Sequence, residues 1–173
     1  YYLARDGASV TLIEREAIGS GASAHATGFL AMLGAEFSPG ASFQFGLAGY
    51  REFPELVGNL EEETGMDLLF QRRPALRLAL DDEEQAFIKG LLAWQRQHLA
   101  VKWIDGTEAR RIEPRLTPQV RGAVYEDESA QLDSYRLTLA LARAAEQRGA
   151  RLHLREVTGL ATCGSRVTGV RTA

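Results

Sequence analysis

Residues 8–14, ASVTLIE, are a short run rich in Val, Leu and Ile that follows a helical ending and stops on an acid, Glu14. Such a run has the signature of a strand buried on both faces of a parallel sheet. Parallel strands cannot be joined by a tight hairpin, because each needs a crossover connection, usually a helix. The chain is thereby constrained to an α/β architecture, and the remaining sequence must supply the crossing helix. The clearest one lies far downstream. After Asp133, a favourable N-cap, residues 135–148 place Leu137, Leu141, Ala144 and Ala145 on one side and stop at Gly149. Residues 151–157 then read as a strand, and residues 166–171 as another beyond a Gly-Ser turn.

The order strand, helix, strand is thus interrupted by a long middle segment. Tyr1 to Gly7 read as the last turns of a helix closed by glycine, and residues 22–33, dominated by Ala, Gly, Ser and Met, as a short helix with small side chains. Residues 43–63 carry Phe43, Leu47, Tyr50, Phe53, Leu56, Val57 and Leu60 at spacings of three and four, an amphipathic helix that Pro54 kinks or divides. Residues 68–70, 75–80, 101–104 and 120–125 read as strands. Acids at 81–84 open a helix running to about His98, and residues 107–112 make a helical turn. This mixture predicts an α+β insertion between two parts of one doubly wound sheet.

Charged residues make up 25% and hydrophobic ones 45%, the balance of an ordinary globular chain rather than a disordered or fibrous one. A net charge of -3 with both signs interspersed offers no basic face, so nucleic acid is not an expected partner. The one cysteine, Cys163, has no internal disulfide partner and no companions at metal-ligand spacing, so no metal site is expected and a reducing cytoplasm is. No apolar run approaches the roughly 20 residues that span a bilayer, so no transmembrane segment is expected.

Two features carry chemistry. Glu14 stands at the carboxyl end of its strand, where open sheets of this class bind ligands and where an acid accepts hydrogen bonds from both ribose hydroxyls of a dinucleotide. The alternative is a surface acid in the charged turn Glu14-Arg15-Glu16. The second feature is the run from Gly19 to Gly28, GSGASAHATG, followed by FLAML. A pyrophosphate needs accessible backbone N–H groups, small neighbouring side chains and a helix start, and this run offers all three. The alternative is a flexible loop, against which the alanines and the apolar continuation argue. His25 reads as a lining residue, while His98 ends an exposed helix and His153 lies in a strand. The pairs Arg72-Arg73 and Arg110-Arg111 read as solvated turn and helix charges rather than a carboxylate clamp. No catalytic residue is assigned.

The segments YYLARDGASVTLIERE, GSGASAHATG and QLDSYRLTLALARAAEQRGARLHLREVTGL together resemble the FAD-dependent D-amino-acid oxidase superfamily, and within it the glycine-oxidase-like branch. The resemblance implies a Rossmann-like FAD-binding domain interrupted by a mixed-sheet substrate domain, with residues 1–40 and 129–173 in the former and 41–128 in the latter. It implies that the chain is an internal fragment, lacking a glycine-rich strand and turn before Tyr1 and a further portion beyond Ala173, and that such a fragment alone is inactive. It places Glu14 on the adenosine ribose with Arg15 beside it, Ala22 and Ser23 along the pyrophosphate and ribityl chain, and Thr27, Gly28 and Phe29 at the flavin through backbone contacts. Val157 is placed at the adenine through its main chain, although its residue type alone reads as core. The implied reaction is oxidation of the CH–NH bond of an amino acid or amine, with hydride passing to flavin N5, an imine hydrolysed by water, and oxygen or another acceptor reoxidising the flavin. An NAD-binding dehydrogenase and a non-catalytic fragment remain as alternatives, since Glu14 would serve NAD equally well.

Overall fold

The structure, a computed structural model, describes residues 1–33 and 39–173. Contacts divide the chain into two compact units, the first of Tyr1–Thr27, Pro54–Leu68 and Asp133–Ala173, the second of Gly28–Phe53 and Leu69–Leu132. The sequence places its boundaries near residues 40 and 129, with residues 34–38 outside the described part. Grouped by contacts, Gly28–Phe53 goes with the middle segment and Pro54–Leu68 with the two ends.

The first unit is built on a parallel pair. Strand β1, Thr11–Glu14, pairs with β8, Arg151–Leu154, in the register Thr11 to Arg151 through Glu14 to Leu154. Before β1 lies the short helix α1, Tyr2–Arg5, and Gly7 makes the expected left-handed stop with φ of 84°. Before β8 lies helix α6, Ser134–Gln147, which Asp133 caps by accepting the Arg136 N–H at 2.9 Å. Its buried residues are Ala140, Ala144 and Ala145, so small side chains let the helix approach closely while Leu137 and Leu141 remain half-buried. A hairpin of β9, Val157–Cys163, and β10, Arg166–Thr172, turns at Gly164.

Two expectations change here. β1 is partly exposed in this chain, with Leu12 39% exposed, and among the described residues it pairs with β8 alone. The run expected as one strand from Arg151 to Val157 breaks at residues 155 and 156, where the chain leaves β8 for the antiparallel hairpin.

Helix α3, Ala41–Thr64, holds Pro54 in its interior, and the division between the units falls at that proline. A proline in a helix interior removes one helical hydrogen bond. The first half of α3 sends Phe43 and Leu47 into the core of the second unit, with Met32, Leu33, Ala79, Ile88, Leu92, Leu99, Val101 and Val124. That core sits on an antiparallel sheet ordered β4-β6-β5, with β4 at Ala75–Ala79, β5 at Val101–Asp105 and β6 at Gly122–Glu126. Helix α4, Asp82–Gln95, connects β4 to β5. Asp81 caps it, accepting the Glu84 N–H at 2.8 Å, and three acids fill the first turn, where the helix dipole favours them. His98 is half-buried rather than exposed, with its ring 5.0 Å from Phe43 and 5.6 Å from Trp94. Helix α5, Gly106–Ile112, follows β5 and is capped by Asp105.

A second antiparallel sheet is ordered β2-β7-β3, from Phe29–Leu30, Ala130–Gln131 and Gln71–Arg72. It changes two further expectations. The helix expected over residues 22–33 is only α2, Ala22–His25, because the chain beyond Gly28 pairs with β7 instead. Residues 68–70 are not a strand, since Leu69 takes a left-handed φ of 55° and pairing begins at Gln71.

The second unit also buries an acid. Glu126, at the end of β6, has no exposed surface, and its Oε1 accepts the Tyr50 hydroxyl at 2.9 Å. Among the described residues its Oε2 and the buried Ser129 Oγ make no hydrogen bond of good geometry, although the two groups lie close together. Burial pushes the Glu126 carboxyl above the usual range, and the Tyr50 bond and the nearby Ser129 hydroxyl only temper that rise. Burial and the adjacent Glu126 push the Tyr50 phenol up in turn, so it remains a donor. A raised native value means that the contribution to stability is full below the unfolded carboxyl's pKa, about 4.3, and is lost as pH climbs toward the native value. Glu126→Gln keeps an acceptor for Tyr50 without the titration. Urea midpoints of the intact protein at stepped pH above 4 are expected to fall less steeply with pH in Glu126→Gln than in the wild type.

Candidate functional site

The end of β1 is where the expected ribose contact must be built. Glu14 is half-buried there, its carbonyl accepting the Arg155 N–H at 2.8 Å and its Oε1 accepting the Glu16 N–H at 2.8 Å. The first bond ties the strand end to the exit of β8. The second turns the chain back over the acid and engages one carboxylate oxygen, while the other has no protein partner among the described residues. Arg15 is exposed and pairs with Glu16 at 3.4 Å.

Glu14 borders a cleft of about 410 Å³ in the first unit. Its lining combines Glu14, Gly19, Gly21 and Ser23 with the apolar side chains of Val10 and Leu12 before and in β1 and of Leu141 and Ala145 in α6. Gly19 has φ of 75°, and a Cβ there would sit 2.9 Å from the Tyr135 ring, so the loop lies against the first turn of α6. Gly21 precedes α2 and has nothing within 4 Å of where a Cβ would stand. This lining suits a nucleotide: an acid for a sugar diol, glycines that leave backbone accessible to phosphate, and apolar side chains.

Of the residues expected at a cofactor, the structure brings Glu14 and Ser23 onto one cleft. Ala22 is exposed beside Ser23 in α2, and His25, also exposed, ends that helix. Thr27 is exposed just beyond it. Gly28 and Phe29 belong to the second unit, where Gly28 adopts φ of 69° and its carbonyl accepts the Leu132 N–H at 3.0 Å. Phe29 opens β2 opposite Gln131 and is 50% exposed. Val157 starts β9 opposite Thr172 and is 46% exposed, so it is not the core residue that its type suggests.

The arginine pairs, read from the sequence as solvated turn and helix charges, make contacts within the chain. Arg72 donates to the Glu128 carbonyl and Arg73 to Gln71 Oε1 at 2.8 Å. Arg110 donates to the carbonyls of Pro118 and Val120, and Arg111 pairs with Glu108. Among the described residues no group of three or more His, Cys, Asp or Glu side chains could hold a metal ion, and no helix is long and apolar enough to cross a membrane. Sequence reasoning passed over Ser134, whose hydroxyl reaches the α2 backbone. The available signal was its place directly after the capping Asp133, which leaves the serine hydroxyl free for another partner.

A parallel strand pair with an acid at its carboxyl end and a glycine-lined turn beside it is the arrangement that open α/β sheets place at their ligand sites. The family model described as FAD dependent oxidoreductase, DAO, matches residues 1–173, and the chain belongs to that family. It is 36% identical over 137 residues to the hydrogen cyanide synthase subunit HcnC of Pseudomonas aeruginosa, covering 78% of this chain and 33% of that protein. Identity to the glycine oxidase of Geobacillus kaustophilus is 33% over 158 residues, covering 88% of this chain and 41% of the relative. The crystal structure of glycine oxidase from Bacillus cereus superimposes with a TM-score of 0.85 at 30% identity, covering 99% of this chain and 48% of that one. The chain thus spans between a third and a half of the length of these relatives.

At Gly28 a Cβ would overlap the Leu132 carbonyl oxygen, and the positive φ would strain any other residue. Gly28→Ala is therefore expected to destabilise the intact protein by about 1–3 kcal/mol, the usual cost of overpacking. A denaturant titration checks this.

Proposed function

We propose that the intact protein is an FAD-dependent oxidoreductase acting on the CH–NH bond of an amino acid or small amine, with the first unit holding the dinucleotide part of the cofactor and the second contributing to the substrate side. The observation that carries this reading is Glu14 at the carboxyl end of β1, on one cleft with Gly19, Gly21 and Ser23, in a chain matched along its whole length by an FAD-dependent family. That match favours FAD over NAD, which Glu14 by itself does not separate. The names of the relatives, two of them glycine oxidases, support a small amino acid as the substrate class.

In this reading the Glu14 carboxylate accepts hydrogen bonds from the adenosine ribose, with the Glu16 N–H fixing its orientation and Arg15 beside it. Ala22 and Ser23 lie along the pyrophosphate and ribityl chain, where small side chains leave the backbone accessible. Thr27, Gly28 and Phe29 approach the flavin by main-chain contacts, and Val157 meets the adenine through its backbone. When bound, FAD supplies the redox chemistry, taking up a hydride from the carbon that bears the amino group. The protein's residues bind and orient; no side chain of this chain is assigned a proton transfer. Oxygen or another acceptor closes the cycle, and the cytoplasm is the compartment, a reading supported by the unpaired, exposed Cys163.

The test is an absorbance spectrum of the purified intact protein, followed by glycine, sarcosine and D-alanine in the absence of oxygen. A flavin band that bleaches with one of them is the expected result. No band, even after added FAD, would overturn the proposal. Glu14→Ala is expected to weaken FAD binding about 10- to 100-fold, the loss of one or more charge-assisted hydrogen bonds, as read by titration of the apoprotein.

A further inference from the structure

Helix α2 is a single turn with no buried residue, and its N-cap, Gly21, offers no side-chain hydrogen bond. A turn this short does not hold its shape by itself, because the unfavourable nucleation of a helix is not offset by propagation. Something outside it must set the orientation of Ala22 and Ser23. The first turn of α6 does so. Ser134 Oγ lies 2.6 Å from the Ser23 carbonyl and 3.1 Å from the Ala26 carbonyl. The hydroxyl has one proton, so it donates to the nearer Ser23 oxygen while staying within reach of the second.

Both acceptors are carbonyls at the end of α2, where a helix leaves such groups without intrahelical partners. Ser134 is free for this task because Asp133 performs the capping of α6. The serine is itself steadied, since Thr138 Oγ1 donates to its carbonyl at 2.8 Å. One residue further on, the Tyr135 ring lies against Gly19, so the same helical turn fixes the loop on both sides of Gly21.

We infer that Ser134 is a positioning residue for the cofactor's pyrophosphate, holding the 22–26 turn in the orientation that presents its backbone to the phosphate oxygens. The inference rests on the flavin reading of this site. It gives Ser134 no contact with the cofactor: the side chain acts through the Ser23 and Ala26 carbonyls. Because the turn is exposed, water can replace the lost donor, and removing the hydroxyl loosens the turn without unfolding α6.

The test compares wild type, Ser134→Ala and Ser134→Thr in the intact apoprotein, with titrations of FAD, ADP and adenosine and a thermal melt of each. Ser134→Ala is expected to lose about five- to tenfold in affinity for FAD and ADP, the scale of one hydrogen bond, with adenosine affinity and the apoprotein melt unchanged. Ser134→Thr, which keeps the hydroxyl, is expected to restore wild-type binding. Ser134→Val, isosteric with threonine, repeats the loss should the alanine variant fold poorly. Unchanged FAD and ADP affinities in Ser134→Ala, or an equal loss for adenosine, would overturn the positioning role while leaving the flavin reading intact. A wild-type protein that binds neither FAD nor ADP would overturn that reading and this role with it.

Discussion

The pairing of β1 with β8 is the interaction on which the first unit depends. Four residues near the start of the chain lie in parallel register with four residues near its end, Thr11 against Arg151 and Glu14 against Leu154. A parallel pair demands a crossover, and α6 supplies it immediately before β8. Once the register is set, the carboxyl ends of both strands lie together, and the Arg155 N–H closes on the Glu14 carbonyl. Glu14, at that end, lines the cleft, and the carboxyl ends of strands are where sheets of this kind leave room for a ligand. The site is therefore a consequence of strand direction more than of any one side chain.

Helix α6 does more than cross over. Its alanine face permits close packing, while its first turn holds the loop that follows β1 through Ser134 and Tyr135. The second unit is organised differently. Its antiparallel sheet and α4 enclose an apolar core, and at the edge of that core Tyr50 and Glu126 form a buried polar contact. Burial raises the pKa of this carboxyl, which lowers its contribution to stability as pH rises, while its bond to the Tyr50 hydroxyl makes a specific tie between α3 and β6.

Much of the helical content was legible because the signals are local. The periodicity of α3, the acidic first turn and Asp81 cap of α4, and the Asp133 cap and Gly149 stop of α6 all act over a few residues. The sheet β2-β7-β3 was not legible. Its strands have two residues each, too few for alternation to be read, and they exist only because Phe29–Leu30 and Gln71–Arg72 both pair with residues 130 and 131. The helix expected over residues 22–33 failed for the same reason: pairing beyond Gly28 outcompeted the weak preference of a small-residue run. His98 shows the limit for side chains, since its ring stack with Phe43 spans 55 positions of sequence.

By itself the sequence determined the α/β class, the ends of the long helices and the position of Glu14 at the close of a strand, because caps, glycine stops and apolar spacing are settled by near neighbours. Tertiary structure alone decided that Glu14 and Ser23 share a cleft, that Glu126 is buried against Tyr50, and that Ser134 reaches a carbonyl 111 residues away. Those contacts depend on which distant strands pair and how closely a helix can approach them. No local preference in either partner encodes that distance.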